Sequence, residues 1–348
     1  MQTTVITVNT VNPEGFNPEL LTPAARMLRD GGLVAFPTET VYGLGAVYRD
    51  EAALGQIFTV KGRPNDNPLI VHIWQLSQLA ELTSAVDPKL ERLIAAFWPG
   101  PLTLIFPKQA TVPPTVTAGL PTVAIRMPSH PVARELLRLT ALPVAAPSAN
   151  ISGRPSPTRA EHVLADFSSK IPLIVDGGPC RGGLESTVLT LDCGQPRILR
   201  PGSITREMLE TELQEPVAVA AGEVDRPQAP GMKYRHYAPR APVVLVKGEK
   251  TAVVARINQL LQGEWKTRKV VVIGATENLA QYRTDLVLDF GPKSGLELAA
   301  QRLYGLLRQC DTLDVEGIII EGVAENGIGA AIQNRLYKAA GGNVINVS

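Results

Sequence analysis

Two apolar runs in the first half of the chain stop at a proline and open at once onto polar residues. Leu33-Val34-Ala35-Phe36 gives way to Pro37-Thr38-Glu39-Thr40, and Val144-Ala145-Ala146 to Pro147-Ser148-Ala149-Asn150. A short apolar run between turn signals fits a strand buried on both faces. Proline cannot donate to a ladder, so each strand ends where its proline stands. Two buried strands that end in polar turns place those turns at one edge of a sheet, where α/β folds commonly hold ligands. Further strands are expected at Leu69–Ile73, Leu102–Phe106, Val123–Met127, Leu173–Val175 and Val188–Leu191. Asn17, Asp50 and Asp87 are placed to cap helices that run to Gly31-Gly32, to Lys61 and to Pro99-Gly100. Residues 1–212 therefore read as an α/β domain with a mixed sheet.

The pattern breaks over 213–240, which is rich in proline, has no helical period and is too long for an ordinary connection. It reads as a linker or a functional lid, with Lys233, Tyr234, Arg235, His236 and Tyr237 in a row. From 241 to 348 apolar strands alternate with helical patterns over 249–262, 294–308 and 328–340, as in a smaller, parallel, Rossmann-like sheet. No G-x-G-x-x-G follows any of these strands, which weakens a dinucleotide reading.

The 348 residues are too many for one ordinary core, in line with two domains. A net charge of +1 gives no global field toward nucleic acid or an anionic membrane, so any phosphate binding must be local. Three scattered cysteines, Cys180, Cys193 and Cys310, suit a reducing cytoplasm and argue against a disulfide framework. The N-terminus lacks the pattern of a secretion signal, and no apolar run is long enough to span a bilayer.

Two clusters are candidates for chemistry. In "VKGRPNDNPLIVHIW" (60–74), Lys61 and Arg63 flank a glycine beside Asn65, Asp66 and Asn67. Such a turn is suited to a polyphosphate, and equally to basic residues that favour the dipole at a helix C-terminus. In "PVAAPSANISGRPSPT" (143–158), small hydroxyl residues and glycine allow close backbone approach to a ligand. The same loop is also a plain polar turn before a helix capped by Thr158. His72, Arg126, Ser186, Thr187 and Arg200 lie within or at the ends of other strands. No Ser-His-Asp or Cys-His arrangement emerges, so covalent nucleophilic catalysis is not the first expectation.

In order along the chain, "FPTETVYGLG", "KGRPNDNPL", "PSAN" with its following "PSPT", "ESTVL", "ILRPG", "APGMKYRHYAP" and "AIQNRLYKAAGG" resemble the two-domain threonylcarbamoyl-AMP synthases, the Sua5/YrdC family. The resemblance implies a YrdC-like twisted mixed-sheet catalytic domain and a smaller Sua5-type α/β domain. It implies an enzyme that forms threonylcarbamoyl-AMP and pyrophosphate from L-threonine, bicarbonate and ATP. Mg2+ would accompany the ATP, with metal ligands unknown. The product would pass to a transferase complex that makes t6A at adenosine 37 of tRNA. Threonine contacts carry over to Thr38, His72, Arg126, Ala146 and Ser186. Nucleotide contacts carry over to Lys61, Arg63, Asn65, Thr122, Ser148, Asn150, Ser156, Arg200 and Tyr234, with Lys61, Arg63, Ser148 and Asn150 as the catalytic set. Gln333 and Ala229 stand where the family pattern leads one to expect methionine and serine. RNA binding by a concave basic face, as a main or a weak accessory role, is the competing reading, and the near-zero net charge weighs against it as the main role.

Overall fold

In the computed structural model, residues 2–9, 16–220 and 236–348 are described. They fall into two compact units, one of Met1–Ser152 with Ser156–Tyr234, the other of Gly153–Pro155 with Arg235–Ser348. The first is built on a mixed sheet. Its strands lie side by side in the order Thr4–Thr7, Leu173–Asp176, Val34–Phe36, Gly43–Val47, Val144–Ala145, Ile70–His72, Thr122–Arg126, Leu102–Pro107, Thr187–Asp192, Gln195–Arg200 and Ala218–Val219. Parallel and antiparallel pairings alternate irregularly along this order.

The first apolar run is buried on both faces, as its composition requires. Val34 and Phe36 pack with Leu28, Leu136 and Val144 under the helices Thr22–Arg29 and Pro131–Thr140. Leu33 and Ala35 point into the opposite core with Leu44, Ile57, Val71 and Ile125. Helix Glu51–Lys61 begins at Asp50, whose side chain accepts from the Ala53 amide at 2.9 Å, and ends on Lys61 itself. Asp87 caps Pro88–Phe97 in the same way, accepting from the Lys89 amide at 2.8 Å. Asn17 starts a short 3-10 turn, Pro18–Leu21, that hands over to Thr22–Arg29, so one expected helix is two pieces. Helix Ala160–Phe167 follows Arg159 without a side-chain cap, so Thr158 does not serve as one.

Gly43–Val47 was not among the expected strands, because glycines lower strand propensity. Its fit depends on what the glycines lack. A Cβ on Gly45 would stand 2.7 Å from Val144 Cγ1 and 2.8 Å from Phe36 Cε1. This missing side chain lets the strand slot between Val34–Phe36 and Val144–Ala145, the two runs that lead to the polar turns.

The second unit holds five parallel strands in the order Val287–Gly291, Val270–Ala275, Gly317–Glu321, Val243–Gly248 and Val344–Val347. Helices Lys250–Gln262, Leu296–Thr312 and Ile328–Ala339 connect them. Val287–Gly291 is a further strand that the sequence reading left out, half-buried at the sheet edge. Tyr237 is buried in this unit, its ring 5.3 Å from that of Tyr304 and beneath the Arg335 guanidinium. Tyr234, expected at the nucleotide, lies outside the described residues.

We predict that Gly45→Ala costs about 1–3 kcal/mol through overpacking. The check is a urea unfolding midpoint, which should fall without a change in the slope of the transition.

Candidate active site

The turns that leave the two apolar strands meet. Gly43 and Ser148 form a β-bridge. The Leu44 amide donates to Pro147 O and the Ala149 amide to Tyr42 O, both at 2.8 Å. The Tyr42 amide reaches Pro157 O at 2.8 Å, so the far end of the 148–158 loop returns to the same place. Lys61 ties in the third segment. Its Nζ donates to Ser148 O at 2.5 Å and to Asn150 O, while its own carbonyl accepts from the Ser152 amide at 2.9 Å. With 2% exposure, this ammonium is held among carbonyl dipoles rather than on a solvated face.

Arg63 turns back on its own loop, with Nε and Nη2 donating to Asn67 O and Nη2 to Pro68 O. Asn65 is exposed at the tip, whereas Asn67 is buried. Ser148 Oγ donates to Asn150 Oδ1 at 2.6 Å, so these two side chains orient each other. Ala146 gives its amide to Ile70 O at 2.9 Å.

Arg126 ends the strand Thr122–Arg126, beside His72 at the end of Ile70–His72. Its guanidinium is 4% exposed in the side chain and meets Glu39, Nη2 to Oε1, at 2.6 Å. Nη1 donates to Thr40 Oγ1 at 2.9 Å and Nε to Gly100 O at 3.2 Å. The contact with Glu39 is a close ionic approach rather than a well-aligned hydrogen bond. Thr40 Oγ1 also lies 2.8 Å from Thr38 Oγ1, and Thr38 donates to Val41 O at 2.7 Å. The carboxylate and the two hydroxyls that follow Pro37 thus have a local purpose: Glu39 and Thr40 meet one arginine, and Thr38 fixes Thr40.

Ser186 belongs to a third group. Its hydroxyl is 2.7 Å from Thr103 Oγ1 and accepts from Arg200 Nη2 at 3.1 Å, while Arg200 Nε donates to Ser186 O. Ser156 donates to Glu185 Oε1 at 2.5 Å and so couples the 148–158 loop to this segment. The Gly182 amide donates to Glu39 O at 2.7 Å, which joins it to the first turn as well. The glycine of "ILRPG" serves this neighbourhood, since a Cβ on Gly202 would stand 2.4 Å from the Thr187 amide nitrogen. Thr122 opens the strand that Arg126 closes, roughly 13 Å from it at the rise of a β-strand.

Thr103, Glu185 and the Gly100 carbonyl are the participants that sequence reasoning missed. Thr103 carried a signal, as the one hydroxyl inside the apolar run "LTLIF". Glu185 stood next to Ser186, but nothing in its spacing pointed to Ser156, 29 positions away.

Burial and charge set the protonation states. Burial pushes the His72 imidazole down to about 3, with the neighbouring Arg126 charge adding to the effect. Burial likewise takes His130 down to about 4. Burial by itself would raise Glu39, but the charge of Arg126 beside it outweighs this and holds the carboxyl below the usual range. Burial raises the Cys180 thiol, which makes it a poor source of thiolate. The site at neutral pH therefore has an ionised Glu39 opposite Arg126 and two neutral imidazoles.

Because both histidines have folded-state values below the ordinary 6.5, the unfolded chain binds the extra protons as pH drops. Their contribution to stability is complete above about 6.5 and is lost as pH falls toward 4. Glu39, also lowered, adds a loss at still lower pH. We predict a denaturant midpoint clearly lower at pH 5 than at pH 7.5. In His130→Gln that slope should flatten, by about 1.4 kcal/mol for each unit of separation removed.

Comparisons with known proteins identify relatives over nearly the whole chain. A family model described as "Telomere recombination" matches residues 26–202, and one described as "Threonylcarbamoyl-AMP synthase, C-terminal domain" matches 204–341. The threonylcarbamoyl-AMP synthase of Bacillus subtilis (strain 168) is 49% identical over 333 residues, covering 94% of this chain and 95% of that one. That of Schizosaccharomyces pombe is 40% identical, covering 91% and 87%. The solved structure of P. abyssi Sua5 complexed with L-threonine has a TM-score of 0.93 at 46% identity, covering 99% of this chain and all of that one. With both domain models in register and relatives matched over nearly their whole length, this chain belongs to the threonylcarbamoyl-AMP synthase family.

Proposed function

We propose that this chain joins L-threonine, bicarbonate and ATP into threonylcarbamoyl-AMP with release of pyrophosphate, as the activated precursor of t6A37 in tRNA. The observation that carries the reading is the convergence of the turns at 38, 61 and 148 around buried cations. The threonine amine and CO2 or bicarbonate form a carbamate. A carbamate oxygen then attacks the α-phosphorus of ATP, and the bond to the pyrophosphate leaving group breaks. This is adenylyl transfer, which makes the enzyme a nucleotidyltransferase. It asks the protein mainly to bring two anions together and to meet the charge that develops between them.

In this reading Arg126 holds the threonine carboxylate, where a planar fork serves better than an ammonium. Thr38, neutral His72, the Ala146 backbone and Ser186 complete the amino-acid seat. Arg63, Asn65, Thr122, Ser148, Asn150, Ser156, Arg200 and Tyr234 are assigned to the nucleotide. Lys61 supplies positive charge to it while it holds the carbonyls of the 148–150 turn. Mg2+ enters as part of MgATP. Among the described residues no group of three or more His, Cys, Asp or Glu is arranged to hold a metal ion. Glu39 and Glu185 already serve Arg126 and Ser156. No step is therefore assigned to a metal held by the protein.

Residues 1–212 act as the catalytic domain and 241–348 as the accessory domain. Of the 213–240 segment read as a linker or lid, Ala218–Val219 pairs in the first sheet and residues 221–235 lie outside the described residues. Use of ATP, and delivery of the product to a tRNA-modifying transferase complex, support a cytoplasmic reading. Among the described residues no helix is long and apolar enough to cross a membrane.

The test is pyrophosphate release with MgATP, omitting threonine and bicarbonate in turn. Both omissions should abolish it; release that needs neither would overturn the assignment. Serine lacks one methyl and should be poorer by about 1–3 kcal/mol, while valine, which strands a buried polar partner, should be rejected more sharply.

A further inference from the structure

Arg126 has five N–H groups to give. Among the described residues its partners are Gly100 O on Nε, Thr40 Oγ1 on Nη1 and the Glu39 carboxylate on Nη2. One further N–H remains on Nη1, and Nη2, which meets Glu39 as an ion pair rather than through an aligned hydrogen bond, keeps at least one. The three partners come from two different segments, so the guanidinium plane is fixed on more than one side. The two from 39–40 are adjacent residues of the turn that follows Pro37. Thr40 is itself fixed by Thr38, whose hydroxyl is tied to Val41 O. This chain of contacts runs from backbone to guanidinium with no flexible link.

From this geometry we infer that Glu39 and Thr40 are positioning residues for the amino-acid substrate: they hold the Arg126 fork so that its remaining N–H groups meet the threonine carboxylate. The inference rests on the assignment of Arg126 to that carboxylate. An arginine side chain left to itself samples many rotamers, and a bidentate grip is formed only when the plane is correctly turned. Glu39 also balances the Arg126 charge in a buried setting, so the arginine stays in place when no substrate is bound. One opposing view is physically reasonable. Glu39 is a carboxylate on the group that is to receive another, and as a competitor it would weaken substrate binding. The two views predict opposite signs.

The experiment is steady-state pyrophosphate release by the full-length chain and its variants, with each KM measured at saturating levels of the other substrates. Melting curves are recorded for every variant. If Glu39 positions Arg126, Glu39→Gln raises the threonine KM by about tenfold or more while the ATP KM stays within about twofold. Thr40→Val should raise the threonine KM in the same selective way, and Thr40→Ser, which keeps the hydroxyl, should restore it. A second readout is the preference for threonine over threoninol, which lacks the carboxylate, as inhibitor or ligand. This preference should shrink in Glu39→Gln and Thr40→Val, as a general loss of folding would not make it do.

A lower threonine KM in Glu39→Gln would make Glu39 a competitor and overturn the inference. Parallel rises in both KM values, or Thr40→Ser behaving like Thr40→Val, would also overturn it. Should Glu39→Gln not fold, the two Thr40 variants decide alone. Arg126→Lys separates the two layers. An unchanged threonine KM there removes Arg126 from the carboxylate, and with it the present inference. A raised KM there, with Glu39→Gln and Thr40→Val near wild type, removes only the positioning role.

Discussion

A buried guanidinium is admissible only if its charge is met, and the ion pair of Arg126 with Glu39 does this at the centre of the first domain. The pair joins the end of the strand Thr122–Arg126 to the turn after Val34–Phe36, two elements far apart in sequence. Once it is made, the other features of the site follow. The turn must leave its strand abruptly, which Pro37 enforces. Thr38 and Thr40 must face inward, where their hydroxyls find each other and that of Thr40 meets the arginine. His72, beside that positive charge and out of water, stays neutral and is free to act as a hydrogen-bonding group.

The second organising contact is Lys61 with the carbonyls of Ser148 and Asn150. It changes how a lysine beside a candidate phosphate site should be understood. A surface lysine would bring charge but little shape; this one brings charge and also holds the turn whose backbone and hydroxyls face the nucleotide in the proposed reading. Arg200 does the same for Ser186, and Glu185 for Ser156. Across the site, the residues with chemical character act on neighbouring loops first, and the loops interlock through backbone bonds such as Leu44 to Pro147 and Gly182 to Glu39. Such a framework costs nothing to reorganise when substrates arrive, which suits a reaction driven by proximity and charge.

Much of the fold was legible because its signals are local. Asp50 and Asp87 cap helices as their positions suggested, since an N-cap involves only the next turn of chain. Strands such as Leu102–Pro107 and Thr187–Asp192 announced themselves by apolar runs. Gly43–Val47 did not, because its strand character comes from the close approach of Phe36 and Val144, which no window of sequence contains. Asn17 was read as the start of one helix for the opposite reason. The cap was correct, while the switch from 3-10 to α geometry inside it has no distinct local signal.

What the sequence by itself determined is the set of buried strands, their abrupt polar exits, the two-part organisation and, through ordered motifs, the family. These depend on short-range chemistry: periodicity, capping and the inability of proline to continue a ladder. Only the tertiary structure decided that Glu39 belongs to Arg126, that Lys61 spends its donors on the 148–150 turn, and that Glu185 reaches Ser156. A charged side chain is defined by its partner, and partners brought together by strand order leave no trace in their spacing along the chain.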